Sequence, residues 1–518
     1  MSSKKSVSQS PPRWIPDLFA WLFKQVEESA QKVIAQDLQE KLAGNREYSS
    51  DFEAILKAIW ASPDGYAPES IFEFLRGSAP PTPLERKFIV VWAINEASAG
   101  MKGWITRDRG AFPPSGIEEN WYVEEAMAWY RATGNCAENE DYIVLPAEPP
   151  AKLDEDVSDA VTNLKSGASM HDSLNNLRLM FPSEFPKPWK VKIIPGIRTR
   201  NSDPVTFPRD HHGNYDLDQL RIAFAPLVQS PSEVRRKNDP IDGVRKLIVD
   251  LDPEQERQLV ERARSILQHA VDEEAHIVVM PEWVVSNAVL TEVEATIKEI
   301  AREPHSIWLV IAGTGLTTEV DSESGIPYAE CVVFDGLGKR LWRQRKLHPW
   351  VMSQGKQRDA GIEPAVERGL REHFHPGNTV VVAETPIGRC VVLICEDVQQ
   401  DIPARLILNR LRPRWLFVPI LDEPIAVHRW PAERAKELSR NFGATVVVCN
   451  SLALLPENSS GKTADFGWMV SRSASGRFMS ATVKIPITPE DQSVIRIVQW
   501  DSNRAFKRRV VAEPPEGS

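Results

Sequence analysis

Three side chains at the ends of apolar runs could do chemistry together. "HIVVMPEW" closes on Pro281 and Glu282, "LWRQRKLHPW" on Lys346, and "GRCVVLICEDVQQ" on Cys395 followed by two acids. They lie 64 and 49 residues apart in the order Glu, Lys, Cys. A thiol is a nucleophile only as its thiolate, and at a pKa of about 8.5 little of it is ionised at neutral pH. A carboxylate that takes its proton and an ammonium that neutralises a developing oxyanion are the two helpers such a thiol needs. Taken singly, each residue is ordinary: a buried cysteine is usually inert, an acid after proline is common, and a lysine among arginines is usually a solvated face.

The elements needed to aim them are legible. After residue 216 the chain alternates apolar runs with helical patterns: "LRIAFAPLV", a charged helix over 252–275, "HIVVMP", a helix over 287–304 and "IWLVIAGTG". Hairpins are expected around Gly336–Gly338 and Pro386–Gly388, then a helix, "RWLFVPIL", a second helix and "TVVVCNS". Continuous apolar strands between helices predict an α/β layered fold whose strand ends carry loops. Cys395, between an apolar strand and a helical segment, is placed so that turn N–H groups face whatever the sulfur attacks.

The first 215 residues have another texture: helical patterns at 15–44, 80–100 and 116–134, broken by proline and glycine, with many tryptophans read as core. Proline-rich stretches at 145–153 and 181–196 precede a polar segment at 201–216, which is expected to be the linker. The organisation predicted is a helical domain over 1–200, this linker, a catalytic-type domain over 217–495 and a C-terminal extension over 496–518.

Several motifs resemble those of the nitrilase superfamily of carbon–nitrogen hydrolases. "VVMPEW" is similar to its strand–Pro–Glu motif, "RQRKLH" to its Arg-Lys-x-His motif and "GRCVVLICEDVQ" to its nucleophile motif. "RPRWLFVPIL" and "RAKELSRNFGATVVVCNS" resemble two later motifs, so the likeness spans about residues 216–490 and none of 1–215. It implies a four-layer αββα sandwich, Cys395 as nucleophile, Glu282 as base, Lys346 and the backbone N–H of Glu396 as oxyanion donors, and no cofactor or metal. A second glutamate is also implied between the lysine and Pro376–Gly377. Glu367 is preferred for it, Glu372 next. Trp283, His348 and Trp350 adjoin the acid and lysine and are candidates either for pocket lining or for core.

The 518-residue chain has a net charge of −10 and no broad basic field, which disfavours a nucleic-acid partner. No apolar stretch is long enough for a membrane helix, and "MSSKKSVSQSPPRW" has no secretion-signal pattern. Five cysteines without CxxC spacing fit reduced thiols in a cytoplasmic protein. The adjacent His211–His212 pair is not expected to bind metal. The expected reaction is hydrolysis of a non-peptide C–N bond in an amide, a carbamoyl compound or a nitrile, by way of a thioester. The alternatives are acyl transfer to an amine, and a silent scaffold or sensor, for which an accessory role in a bacterial phage-defence system is one option by analogy. The expected partners are a small amide-like substrate, a second copy of the nitrilase-like domain, and a protein held by the N-terminal domain.

Overall fold

The computed structural model describes residues 11–13, 15–29, 46–61, 66–78, 80–97, 143–146, 177–180, 185–194, 205, 220–228, 233–237, 240–241, 244–251, 253–359, 369–385, 387–423, 429–454, 463–472, 478–486, 495–499 and 507–509. The chain divides into two compact units, 1–149 with 153–184, and 150–152 with 185–518. Among the described residues no helix is long and apolar enough to cross a membrane.

The first unit contains helices Ile15–Ser29, Arg46–Trp60, Glu69–Arg76 and Pro83–Ala97, and a strand pair, Ile143–Pro146 with Leu177–Met180. Pro83 stands at the first helical position, and Thr82 and Glu85 exchange side chain–backbone hydrogen bonds of 2.7 and 3.3 Å, a capping box. That helix buries Phe88, Ile89, Val90, Val91, Ala93 and Ile94, so it is apolar nearly all round, as a central helix must be. The core is built from Leu18, Phe19, Leu22, Phe23, Ile55, Ile59 and Ile71 around it. Trp21 and Trp92 are half-buried, Trp21 packing against this core, and the side chains of the other tryptophans expected there lie outside the described residues. The helix expected over 116–134 and the 201–216 linker (apart from Val205) lie outside the described residues.

The second unit is a mixed α/β layer structure built on two seven-stranded sheets. The first runs Arg340–Arg345, Pro327–Asp335, Leu309–Val320, Ile277–Val279, Arg221–Phe224, Arg496–Gln499, Lys507–Arg509. The second runs Phe478–Pro486, Thr463–Arg472, Thr445–Asn450, Trp415–Ile420, Gly388–Val392, Thr379–Thr385, Lys190–Ile194. Each has a parallel trio near its centre: 221–224, 277–279 and 309–320 in one, 388–392, 415–420 and 445–450 in the other. Helices Pro253–Asp272 and Asn287–Ile300 bury Ile266, Leu267, Val293 and Ile297 against Val278, Val310 and Ala312 of the first sheet. Helices Ala404–Leu411 and Trp430–Phe442 bury Ile407, Leu408, Ala435 and Leu438. The other faces of the sheets meet. A Cβ at Gly467 would come 2.7 Å from the Phe224 ring, and the Cys449 thiol donates to Val279 O at 3.2 Å. The layers are therefore helix, sheet, sheet, helix.

Two strands lie elsewhere than the expected divisions put them. Lys190–Ile194, placed in the N-terminal domain by the prolines around it, is parallel to Thr379–Thr385 and edges the second sheet. Arg496–Gln499, placed in the C-terminal extension, pairs with Arg221–Phe224 inside the first sheet. Prolines beside an edge strand disrupt no ladder, so punctuation by proline marked the wrong place. A smaller sheet joins Val351–Met352, Leu370–Glu372, Val244–Asp250, Arg235–Lys237 and Pro240–Ile241.

Candidate active site

Parallel strands carry their loops at the carboxyl ends, and the three sequence-derived residues emerge there or at the adjoining hairpin end. Glu282 leaves the strand Ile277–Val279 on a loop that lies across Gly313, Thr314 and Gly315 of the next strand. Thr314 N donates to Pro281 O (3.1 Å), Trp283 N to Thr314 Oγ1 (3.0 Å) and Val285 N to Thr314 O (3.0 Å). A Cβ at Gly313 would be 2.1 Å from Pro281 O and one at Gly315 1.8 Å from Val285 O, so only glycine admits the loop. "GTG" is thus part of the apparatus that aims Glu282, a signal the sequence reading passed over as strand. The carboxylate is buried, and its Oε2 accepts from Leu421 N at 3.0 Å.

Lys346 follows the strand Arg340–Arg345 and is fully buried. Its Nζ lies 2.6 Å from Glu282 Oε1 and 2.6 Å from Glu372 Oε2. Glu372, the second choice at the sequence level, ends the strand Leu370–Glu372, where burial alternates and turns the carboxylate inward. Its Oε1 accepts from Trp283 Nε1 (2.8 Å) and its Oε2 also from Trp350 N (2.7 Å). Glu367, the first choice, lies outside the described residues. Trp283 and Trp350 therefore both hold Glu372, one through its indole and one through its backbone.

Cys395 follows the strand Gly388–Val392 with φ +47°, a positive value rarely adopted by a residue with a Cβ. The turn is fixed from several sides: Cys395 N donates to Pro419 O (3.0 Å), Asp397 N to Ile394 O (3.0 Å) and Val398 N to Cys395 O (3.1 Å). The fully buried Asp397 ties this turn to the lysine loop. Its carboxylate accepts from Ile394 N (3.2 Å), Leu347 N (3.0 Å) and His348 N (2.8 Å), and His348 Nδ1 lies 3.1 Å from it. His348 also packs against Trp189, ring centroids 4.8 Å apart, so it is occupied in positioning contacts. The acid pair after Cys395 had given no hint that the second acid is a tie. The Glu396 N–H opens the same turn, and no described group accepts from it.

The electrostatics follow from burial. Glu282 is pushed up to about 7 by desolvation, against the attraction of Lys346 and with the repulsion of Glu372. Burial opposes the charge on Lys346, but the two carboxylates override it and hold the ammonium protonated well above its ordinary range. The Cys395 thiol hydrogen-bonds Glu282, and burial followed by the Glu282 charge raises it well above the usual thiol range. The resting state is thus a neutral thiol beside a carboxylate that ionises near neutral pH and a permanent cation. Among the described residues no group of His, Cys, Asp and Glu could hold a metal ion. His211 and His212 lie outside them.

The family model of the carbon-nitrogen hydrolases matches residues 248–418. No curated protein matches the chain in sequence. Among solved structures, it is similar to Saccharomyces cerevisiae Nit3, a member of branch 10 of the nitrilase superfamily, with 14% identity, 53% of this chain and 92% of that one covered, and TM-score 0.34. It is also similar to an amidase from Nesterenkonia sp. AN1, with 14% identity, coverage of 55% and 94%, and TM-score 0.33. Glutamine-dependent NAD+ synthetase from Acinetobacter baumannii shows 14% identity, coverage of 57% and 48%, and TM-score 0.34, so the chain spans about half of that enzyme. The segment matched by that family model, 248–418, holds Glu282, Lys346, Glu372 and Cys395.

Proposed function

We propose that the second unit hydrolyses a non-peptide C–N bond in a small amide-like compound, with Cys395 as nucleophile. The observation that carries this reading is that the Cys395 thiol and the Lys346 ammonium meet the same buried carboxylate, Glu282. Sulfur attacks the carbonyl carbon as its proton passes to Glu282, and the new C–S bond leaves an oxyanion. Lys346 and the N–H of Glu396 receive that charge in a site with little water to screen it. Collapse breaks the C–N bond while Glu282 returns the proton to the departing nitrogen. Water, deprotonated by Glu282, then cleaves the thioester and frees the acid and the thiol.

Intact-mass measurement of the full chain incubated with a panel of amides, carbamoyl compounds, nitriles and hydroxamates tests the reading. An acyl adduct on Cys395, absent in Cys395→Ala, is expected, together with labelling of Cys395 by iodoacetamide that slows at least tenfold in Glu282→Gln. Absence of any adduct, with labelling indifferent to Glu282, would sink it and leave a silent scaffold. Capture of the adduct by added amines in preference to water would instead identify an acyltransferase.

A further inference from the structure

We propose that Asn450 and Trp430, acting through Asp422, are positioning residues for the base: they fix the path of the chain after Ile420 so that the N–H of Leu421 donates to Glu282. This rests on the reading of Glu282 as the base. The strand Trp415–Ile420 pairs with Thr445–Asn450 up to its last residue, Ile420 opposite Asn450. Beyond that pair no ladder continues, and the fully buried Asn450 side chain takes its place. Its Oδ1 accepts from Asp422 N (2.9 Å), and its Nδ2 donates to Asp422 O (2.8 Å) and Glu423 O (3.1 Å).

The Asp422 side chain completes the clamp. It is buried, its Oδ2 accepts from Trp430 Nε1 at 2.6 Å, and its Oδ1 accepts from Glu423 N at 2.8 Å and Arg429 Nη2 at 3.0 Å. The first turn of the helix Trp430–Phe442 is thereby fastened to the residue after Leu421. Leu421 N reaches Glu282 Oε2 at 3.0 Å only while the chain keeps this direction. An N–H aimed at a carboxylate favours its ionised form, so the network helps to keep a deeply buried base usable near neutral pH. The groups that face Glu282 from the other elements are Lys346, Glu372 and the Cys395 thiol, with Asp397 behind the nucleophile turn. On the loop side are Asp422, Glu423 and Arg429, which pair among themselves.

The test is the pH profile, from 5 to 9, of Cys395 labelling by iodoacetamide in the full chain, read by peptide mass spectrometry beside thermal midpoints. Trp430→Phe and Asn450→Ala are both charge-neutral, so a shift in either is not the removal of a nearby charge. The acidic limb is expected to move up by about one pH unit in Asn450→Ala, and by less in Trp430→Phe, where only the indole donor is lost. A limb at the parental position in a folded Trp430→Phe whose midpoint falls would show a merely structural network and overturn the inference. Labelling of the parent that ignores Glu282→Gln would remove the base itself, and the inference with it. A profile sensitive to Glu282 but indifferent to both loop variants overturns this inference alone.

Discussion

Two of the ionic clusters buried in the second unit differ in their arithmetic. Arg389 and Glu384 face each other across the hairpin Thr379–Thr385/Gly388–Val392, both almost fully buried, and Arg389 spends a further N–H on Leu411 O. One cation meets one anion. Around Lys346 a single ammonium meets two carboxylates, with a thiol hydrogen-bonded to one of them. In the second cluster burial, with the added repulsion of Glu372, outweighs the attraction of Lys346 and raises Glu282 to about 7. Burial creates both; the imbalance is what can do chemistry.

Replacing Lys346 should break the comparison most severely. Lys346→Met leaves two carboxylates facing each other without a cation, at a cost of roughly 3–5 kcal/mol in stability, and removes the proposed oxyanion donor, with an expected fall in hydrolysis of about 10²–10³-fold. The pH dependence has a definite sign. Loss of the ammonium raises Glu282 further above its ordinary 4.5, so the stability tied to its protonated form is complete below that value and drains away as pH climbs through the folded value. Thermal melts at pH 5 and pH 8 should differ far more in Lys346→Met than in the parent. An equal difference would contradict the excess-charge account.

Arg389→Met should cost a similar few kcal/mol, because Glu384 is stranded, yet leave Cys395 labelling and its pH profile unchanged. The double variant Arg389→Met/Glu384→Leu should recover most of that loss, since a balanced buried pair can often be exchanged for apolar packing. No such recovery is expected around Lys346. A change in the labelling profile of Arg389→Met would mean that the two clusters are not independent.

How far these differences could be read beforehand depended on whether a residue's setting is local. Glu282 and Cys395 follow apolar runs and Lys346 follows a strand of alternating burial, and a strand end is visible in a short window of sequence. That Glu372 reaches Lys346 was not visible, because it depends on a short strand paired with Val244–Asp250 more than a hundred residues earlier. The tie made by Asp397 is not legible in sequence, because its partners are backbone N–H groups of the lysine loop, which no side-chain pattern reports. Asn450 replaces a ladder that stops at its own pair with Ile420, a fact of topology that a local motif does not carry. Strand Lys190–Ile194 was hidden by prolines, which an edge position tolerates.

Glu372→Gln makes the finest cut, because it restores the charge balance while keeping the shape. The glutamate uses one oxygen for the Trp283 indole and the other for Lys346 and Trp350 N. An amide has a single oxygen, so one of those donors is left facing an NH2 group, and Lys346 loses part of its fixed direction. Hydrolysis is expected to fall about tenfold through poorer placement of the oxyanion donor. The base should respond the other way. Glu372 repels charge on Glu282, so its neutralisation lowers Glu282, and the acidic limb of Cys395 labelling should move to lower pH. That is opposite to the shift expected from Asn450→Ala. If the two variants moved the limb in the same direction, the profile would be reporting general loosening of the site, and the distinction between a charge in excess and a charge held in place would fail.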